Sequence, residues 1–195
     1  NQIIGNVKPG SGDITYKGMS LVKNSKVARE LVSMMPQFHI PLEGVTVRQS
    51  IESILRIKGV SEKQIHLYTK KVLKDLDIEQ WADRAGNKLS GGLQRLTSFA
   101  MAVAYPSDII LLDEPTNDVD PIRRKLIWKY MRELTKNGHI IFVVTHNLLE
   151  VEQYTDRYIL MNKGRMIQNV STAVMSHDFA SNVMIVYLQD ENELY

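Results

Sequence analysis

The heptapeptide IILLDEP, residues 109–115, is an apolar run that ends in two adjacent acids. The sequence predicts further apolar strands at 140–144 (IIFVV) and 157–161, each flanked by helical segments. Strands that are apolar on both faces and alternate with helices are typical of a parallel sheet covered on both sides. The stretch therefore predicts an α/β fold in which residues 109–112 form a buried strand.

Three further strands are predicted outside this region. Residues 13–18 carry β-branched and aromatic side chains before a glycine, which indicates a short strand. The spacing over 28–35 also allows a helix, but Pro36 disfavours helix in the residue before it, so we predict a buried strand at 31–35. The run VMIVYL at 183–188 predicts a strand near the end of the chain.

Residues 45–84 have helical periodicity and predict a small all-helical insert. The first apolar face is Ile51, Ile54, Leu55 and either Ile57 or Lys58, and the second is Ile65, Tyr68, Val72 and Leu76. Ser61 followed by Gln64 matches a capping box and places the start of the second helix. Another helix is predicted from Pro121, capped by Asp120, with an apolar core face of Ile122, Leu126, Tyr130 and Leu134.

Composition excludes several classes of function. The 195 residues fit one domain, and a net charge of +2 gives no reason to expect a nucleic-acid partner. The absence of cysteine excludes disulfides, thiol nucleophiles and cysteine-ligated zinc, and it fits a reducing compartment. The longest apolar run, residues 99–105, is far shorter than the roughly 20 residues that span a bilayer. We therefore expect a cytoplasmic protein whose contact with a membrane is peripheral.

Asp113 and Glu114 follow a strand that should be buried. Ligands of open α/β sheets bind beyond the carboxyl ends of the strands, where these two acids emerge. One carboxylate could hold a hard cation such as Mg²⁺ and the other could orient or deprotonate a water. The alternative is a surface acid pair that only ends the strand.

Ser90, Gly91 and Gly92 precede a predicted helix with Leu96, Ala100, Val103 and Ala104 at helical spacing. Ser90 is a good N-cap, and the glycines would let a ligand approach the first turn. The exposed N–H groups of a helix N-terminus form an anion site. An ordinary capped helix with a flexible entry is the alternative.

Two polar residues follow other strands at the same predicted edge. His146 comes directly after the strand at 140–144, and Gln37 follows the strand that ends at Met35. Most lone histidines are structural, but an imidazole beside a cation and phosphate site could hold a γ-phosphate or an attacking water. Gln37 would supply a neutral oxygen donor.

Together these segments resemble one family, the ATP-binding cassette (ABC) ATPases, over about residues 1–170. The order of the motifs and the position of the helical insert match the family. The matching segments are Gln37 (Q-loop), LSGGLQ at 89–94 (signature), IILLDEP at 109–115 (Walker B), TNDVD at 116–120 (D-loop) and His146 (switch histidine).

The resemblance implies a RecA-like P-loop NTPase core with a parallel sheet and an inserted all-helical subdomain. One partial ABC ATPase domain would then cover residues 1–195. Its parts would be a core segment with the Q-loop at 1–44, the helical subdomain at 45–88, the signature-to-switch core at 89–170 and a C-terminal extension at 171–195.

The resemblance also implies roles for single residues. Two such domains, as a homodimer in the simplest case, would clamp ATP head to tail. Glu114 would be the general base or water-orienting residue, and Asp113 would hold Mg²⁺ through water. His146 and Gln37 would sense the γ-phosphate, with Gln37 also near the metal. The remaining contacts with bound ATP would come from Ser90, Gly91, Gly92 and Asp120.

The chain departs from the family pattern in two places. Leu93 stands where many members have glutamine, a change we expect to matter little. A P-loop requires G-x-x-x-x-G-K-[ST], and no Gly-Lys pair occurs in these 195 residues. Residues 5–14 resemble the turn that follows the P-loop helix, and residues 1–4 the end of that helix. We therefore expect the chain to begin just after the P-loop, without the N-terminal β-subdomain, and to bind ATP poorly alone.

Three functions fit the resemblance. The first is the nucleotide-binding subunit of a membrane transporter, most like bacterial drug exporters, with a separate transmembrane permease that docks near residues 45–59. The second is a soluble ABC ATPase of DNA repair or translation, which the short insert and the lack of a basic patch disfavour. The third is a non-catalytic cassette that completes a partner's site, which the presence of Asp113, Glu114 and His146 disfavours.

Overall fold

A six-stranded sheet lies at the centre of the computed structural model, which describes residues 1–38, 40, 41, 43–171 and the backbone of 183–188. The strands are β1 (Thr15–Tyr16), β2 (Met19–Ser20), β3 (Val32–Met35), β4 (Ile109–Asp113), β5 (Ile140–Val144), β6 (Arg157–Asn162), β7 (Arg165–Ser171) and β8 (Val183–Leu188). The α-helices are α1 (Ser25–Leu31), α2 (Val47–Ile57), α3 (Glu62–Asp75), α4 (Gly91–Val103), α5 (Pro121–Lys136) and α6 (Leu148–Tyr154), with short 3₁₀ turns at Glu79–Trp81 and Gly86–Lys88.

The sheet order is β3-β4-β5-β8-β6-β7, and only the edge strand β7 is antiparallel to its neighbour. The predicted parallel sheet is confirmed. Met35 pairs with Leu112 and Leu112 pairs with Val143, so β3, β4 and β5 end level with one another. The strand predicted at 183–188 is β8, which lies inside the sheet between β5 and β6. Part of the segment predicted as an extension after residue 170 therefore belongs to the central sheet.

The two faces of the sheet are covered unequally. One face carries fully buried side chains under α4 and α5, among them Ile110, Leu112, Ile141 and Val143. The opposite face packs against α1 and the N-terminal residues, where Leu111 and Phe142 are only partly buried. At β4 and β5 the sheet is therefore completely buried on the face under α4 and α5, and only partly buried on the face that packs against α1.

Helix and strand follow each other without a loop at α1 and β3. The predicted strand at 31–35 is confirmed from Val32 onward, whereas Leu31 ends the helix. Both readings of residues 28–35 therefore hold for part of the segment. Pro36 favours extended backbone at the residue before it, Met35. The helix ends at Leu31, so Met35 lies in the strand and meets this requirement.

The N-terminal residues form two tight turns. Gly5 N donates to Gln2 O and Asn6 N donates to Asn1 O, with Gly5 at φ 75°, which is the pattern of a Schellman helix end. Residues 1–4 were predicted to end a helix, and their hydrogen bonds agree. The strand predicted over 13–18 is shorter than expected because Lys17 and Gly18, both at positive φ, turn the chain into β2.

The helical insert consists of α2 and α3, but its capping box is not where the sequence predicted it. Thr46 and Gln49 form the reciprocal bonds at the start of α2. Ser61 caps α3 in position only, since its hydroxyl donates to the Gln64 side chain. The apolar face of α2 ends at Leu55, because Ile57 is exposed and Lys58 turns towards the sheet.

The predicted core face of α5 is corrected at its first residue. Ile122 is 72% exposed and Leu126 is partly buried, whereas Tyr130 and Leu134 are buried as predicted, together with Ile127, Trp128 and Met131. The first turn of α5 projects beyond the core, so an apolar residue there has nothing to pack on. In the described ranges, every helix is too short or too polar to cross a bilayer.

Candidate functional site

Glu114 has a strained backbone directly after β4. Its φ of 48° is in the left-handed region, which a residue with a side chain rarely adopts, and its N–H donates to Val144 O at 2.8 Å. The residue is 6% exposed. Strain of this kind persists only where the surroundings enforce it, and it is concentrated at functional sites.

The Glu114 carboxylate is held by three donors from the end of β5. Thr145 Oγ1 donates to Oε2 at 3.0 Å, and the backbone N of His146 donates to Oε1 at 3.0 Å. His146 Nδ1 lies 2.8 Å from the same Oε1. Because an ionised carboxylate only accepts, Nδ1 must carry the proton in this contact. The side chain of His146 is 60% exposed, so its Nε2 is left for a ligand.

Asp113 differs from its neighbour in having no hydrogen-bond partner among the described residues. Its side chain makes no hydrogen bond or ion pair with any residue that the structure describes. Burial and then the charge of Glu114 raise the pKa of Asp113, while Arg95 lowers it to a smaller extent. A bound cation would relieve this unfavourable burial of charge.

The acids fit a cation that keeps most of its own water. Within residues 1–38, 40, 41 and 43–171 no three His, Asp or Glu side chains lie close enough to cage a metal. Mg²⁺ is commonly held by one or two carboxylates together with water and substrate phosphates. Asp113, which is half-buried and has no hydrogen-bond partner in the part of the chain that the structure describes, matches that requirement.

The two glycines at the start of α4 have different surroundings. Apart from its chain neighbours and the backbone of its own helix, Gly91 has no atom of the described residues within 4 Å of the position of a Cβ, so its Cβ side is open. A Cβ on Gly92 would lie 2.3 Å from the backbone O of Asp118. Ser90 Oγ accepts from Leu93 N at 3.4 Å and caps the helix as predicted. Among the described residues, the Cβ side of Gly91 is therefore open, whereas the Cβ side of Gly92 is filled by the chain's own 116–120 loop.

Gln37 lies beside the start of α4. Gln37, Gly91, Arg95 and Asp118 all line one cavity of about 140 Å³, and the Arg95 guanidinium donates to Gln37 O. These predicted residues therefore lie in two separate groups. Asp113, Glu114 and His146 lie at the ends of β4 and β5, and Gln37 with Gly91 lines the cavity at α4.

Asp120 is occupied by the chain itself. Its Oδ1 accepts from Ile122 N at 3.1 Å and Arg123 N at 3.0 Å, and its Oδ2 pairs with the Arg123 guanidinium at 3.1 Å. Burial alone would raise the pKa of Asp120, but the hydrogen bonds from Arg123 lower it overall. The geometry makes Asp120 the cap of α5 and gives no support to a contact with a cofactor.

Sequence reasoning missed Thr145, which holds the Glu114 carboxylate. Its partner is 31 residues away, and only the parallel pairing of β4 with β5 brings the two together. The one indication in the sequence was that Thr145 directly precedes His146. Reasoning also missed an open cleft of about 440 Å³ beside His146, lined by Thr116, Asn117, Arg124, Asn147, Leu148 and Leu149.

Comparison with known families gives one model, described as ABC transporter, which matches residues 1–117. The Nod factor export ATP-binding protein I of Mesorhizobium japonicum is 32% identical over 193 residues, which are 98% of this chain and 57% of that protein. Its namesake from Rhizobium meliloti is 31% identical over 98% of this chain and 58% of its own length. The chain thus spans somewhat under two thirds of these relatives.

Two further proteins are similar to this chain, one in sequence and one in structure. Human ATP-binding cassette sub-family A member 6 is 29% identical over 157 residues, which are 80% of this chain and 10% of that protein. Among solved structures, an ATP-binding subunit of an ABC transporter superposes with a TM-score of 0.79 at 22% identity, covering 87% of this chain and 71% of that one. The structural match supports the α/β fold.

Proposed function

The chain belongs to the ABC transporter family, and we propose that Asp113, Glu114 and His146, at the carboxyl-terminal edge of its sheet, form the catalytic edge of an ATP-hydrolysing subunit that powers export across a membrane. One observation carries the proposal. A buried glutamate with strained backbone, Glu114, is fixed against His146 beside Asp113, an acid that no described residue pairs with. Phosphoryl transfer needs positioned groups and charge stabilisation more than covalent chemistry, and this edge provides both.

Each residue of the edge has a defined task under this proposal. Glu114 orients the attacking water or takes its proton, because its carboxylate is rigidly held at the end of β4. His146 presents Nε2 to the γ-phosphate, since Nδ1 is committed to Glu114. Asp113 would hold Mg²⁺ through water, and the cation would neutralise charge on the phosphates.

The open start of α4 supports pairing of two such domains. The N–H groups of the first turn of a helix attract anions, and no described residue outside the helix lies within 4 Å of the Cβ position at Gly91. We propose that Ser90 and Gly91 contact the γ-phosphate of ATP held by a second ABC ATPase domain. Gln37, which lines a cavity together with Gly91, would sense the γ-phosphate together with His146.

Export and a permease partner rest on the relatives and on one apolar surface. Two of the relatives are named as export ATP-binding proteins. Phe38 and Ile40, directly after Gln37, are more than four-fifths exposed. We propose that they and the α2 region at 45–59 receive a separate transmembrane subunit, which would place the protein on the cytoplasmic face of the membrane.

The proposal is tested by ATP turnover of the natural full-length protein with Mg²⁺. We expect Glu114→Gln to lower kcat by at least about 100-fold, because the amide cannot accept a proton, and ATP-bound dimers to accumulate. Glu133→Gln, at an exposed position on α5, is the control and should turn over like the wild type. Unchanged turnover in Glu114→Gln would rule out the assigned role.

A second arm uses the 195 residues alone. They contain no phosphate-cradling G-x-x-x-x-G-K-[ST], so we expect at least about 100-fold slower hydrolysis than in an intact family member. Hydrolysis at a comparable rate would contradict the role given to that motif. Co-purification of the full-length protein with an integral membrane protein tests the permease separately.

A further inference from the structure

Glu150 is a buried acid on α6 that the roles above do not use. Its side chain is 11% exposed, and Oε2 accepts from Thr116 Oγ1 at 2.7 Å and from Trp128 Nε1 at 3.0 Å. The guanidinium of Arg124 lies 3.5 Å from Oε1. All three donors lie outside α6. One carboxylate therefore joins α6, α5 and the 116–120 loop that follows β4.

The donors are themselves fixed. Trp128 is 2% exposed and stacks on Tyr154 with ring centroids 5.2 Å apart. Arg124 Nε donates to Val119 O at 2.6 Å. The loop is thus held at its start through Thr116 and at its end through Val119. Removal of the carboxylate would leave a buried hydroxyl and a buried indole N–H without their acceptor, a costly state.

The loop and α6 each contact one part of the proposed site. Asp118, between the two held ends, is the residue whose carbonyl packs against Gly92 at the start of α4. Helix α6 begins directly after His146, and its cap Asn147 accepts from Glu150 N at 3.3 Å. Glu150 therefore connects the helix that follows His146 and its cap Asn147 to the loop that packs against the start of α4.

We infer that Glu150 is a positioning residue for ATP hydrolysis. It fixes the loop and α6 in one arrangement, so that Glu114 with His146 keeps a constant geometry relative to the start of α4. The catalytic part of this inference rests on the proposed function. Misplacement of a reacting group by about 1 Å can cost about 100-fold in rate, which is the scale on which such a residue acts.

The test compares Glu150→Ala with Asp156→Ala in the natural full-length protein. Asp156 is the matched control, because both of its oxygens accept from Arg132 on α5 at 2.8 Å and join α5 to the start of β6, away from the site. We expect Glu150→Ala to lower kcat by at least about tenfold with the KM for ATP changed by less than about threefold. Asp156→Ala should keep kcat within about twofold.

A conservative variant separates positioning from loss of folding. Glu150→Gln keeps an acceptor oxygen for Thr116 and Trp128 but turns an amide N–H₂ towards Arg124. Its kcat should lie between those of the wild type and Glu150→Ala, measured per folded molecule well below the melting temperature. A kcat in Glu150→Ala equal to that of Asp156→Ala would overturn the inference.

Hydrogen exchange without ATP keeps the two proposals distinguishable. Amides 117–119 should exchange at least about tenfold faster in Glu150→Ala than in the wild type and unchanged in Asp156→Ala. Unchanged exchange in Glu150→Ala would overturn the inference. A wild-type protein without ATP turnover would overturn the proposed function, while raised exchange would still support Glu150 as the residue that holds the loop.

Discussion

The two ends of the parallel strands differ in whether their polar side chains have hydrogen-bond partners within the described part of the chain. At the amino-terminal end, the Lys58 ammonium donates to Ser33 Oγ, Tyr105 O and Ser107 Oγ, and His139 Nδ1 contacts Ser107 O. At the carboxyl-terminal end, Asp113 has no partner among the described residues. The polar groups at the amino-terminal end have hydrogen-bond partners within the chain, whereas Asp113, without one among the described residues, is available to a ligand beside the strained Glu114.

Exchange of one histidine at each end gives the largest expected contrast. His146→Ala removes the ring beside Glu114 and should lower kcat of the full-length protein by at least about 100-fold under the proposed function. His139→Ala removes only a contact with Ser107 O and should cost about 1 kcal/mol of unfolding free energy without changing kcat. Parallel turnover and denaturation measurements check both. Equal loss of kcat in the two variants would abolish the distinction between the ends.

Much of this division could be predicted from the sequence. The apolar runs of β4 and β5 predicted a parallel sheet, and a parallel sheet places Asp113, Glu114 and His146 at one edge regardless of detail. The hydrogen bonds at the amino-terminal end of the strands were harder to predict. Lys58 was assigned only as an alternative to Ile57 on an apolar face, because its partners Ser33 and Ser107 are 25 and 49 residues away.

The remaining errors share a physical cause. Ser61 with Gln64 and Thr46 with Gln49 carry the same spacing, and only the local geometry decides which pair forms both bonds. The close contact of Gly92 with Asp118 O, from a loop 26 residues later, was likewise not predicted from its place in the signature segment. Periodicity and spacing describe a single element, whereas these contacts depend on how elements pack.

The two adjacent glycines sharpen the comparison within the carboxyl-terminal end. Gly92→Ala would force a methyl group into the space of the Asp118 carbonyl, so we expect a loss of about 1–3 kcal/mol of unfolding free energy. Gly91→Ala meets no atom within 4 Å and should leave stability unchanged or slightly higher. Chemical denaturation of both variants checks this order.

Turnover then separates packing from ligand contact at the same pair. Because Gly91 lies at the open helix N-terminus, Gly91→Ala should reduce kcat by about tenfold or more although the fold is intact. Full turnover in Gly91→Ala would show that no phosphate approaches this turn. Full stability in Gly92→Ala would show that the loop does not pack against α4 as described.

Titration of Lys58 has the smallest expected effect, a change in unfolding free energy with pH. It tests directly whether Lys58 is enclosed at the amino-terminal end of the strands. Burial lowers the pKa of Lys58 to about 8, against an ordinary value of 10.5. Below pH 8 the lysine is protonated in both states, so it adds no pH dependence. Between pH 8 and 10.5 the folded state has released the proton that the unfolded chain still binds, so a rise in pH favours the folded state.

The Lys58 contribution should appear as a difference between variants. From pH 7.5 to 9.5 the unfolding free energy of the wild type should rise by about 1 kcal/mol relative to Lys58→Met, a modest figure because solvent partly screens the ammonium. Lys63→Met, at an exposed position on α3, is the control and should follow the wild type. Parallel curves for wild type and Lys58→Met would mean that the ammonium is solvated rather than enclosed. The amino-terminal end of the sheet would then be as open to water as the end that carries Asp113.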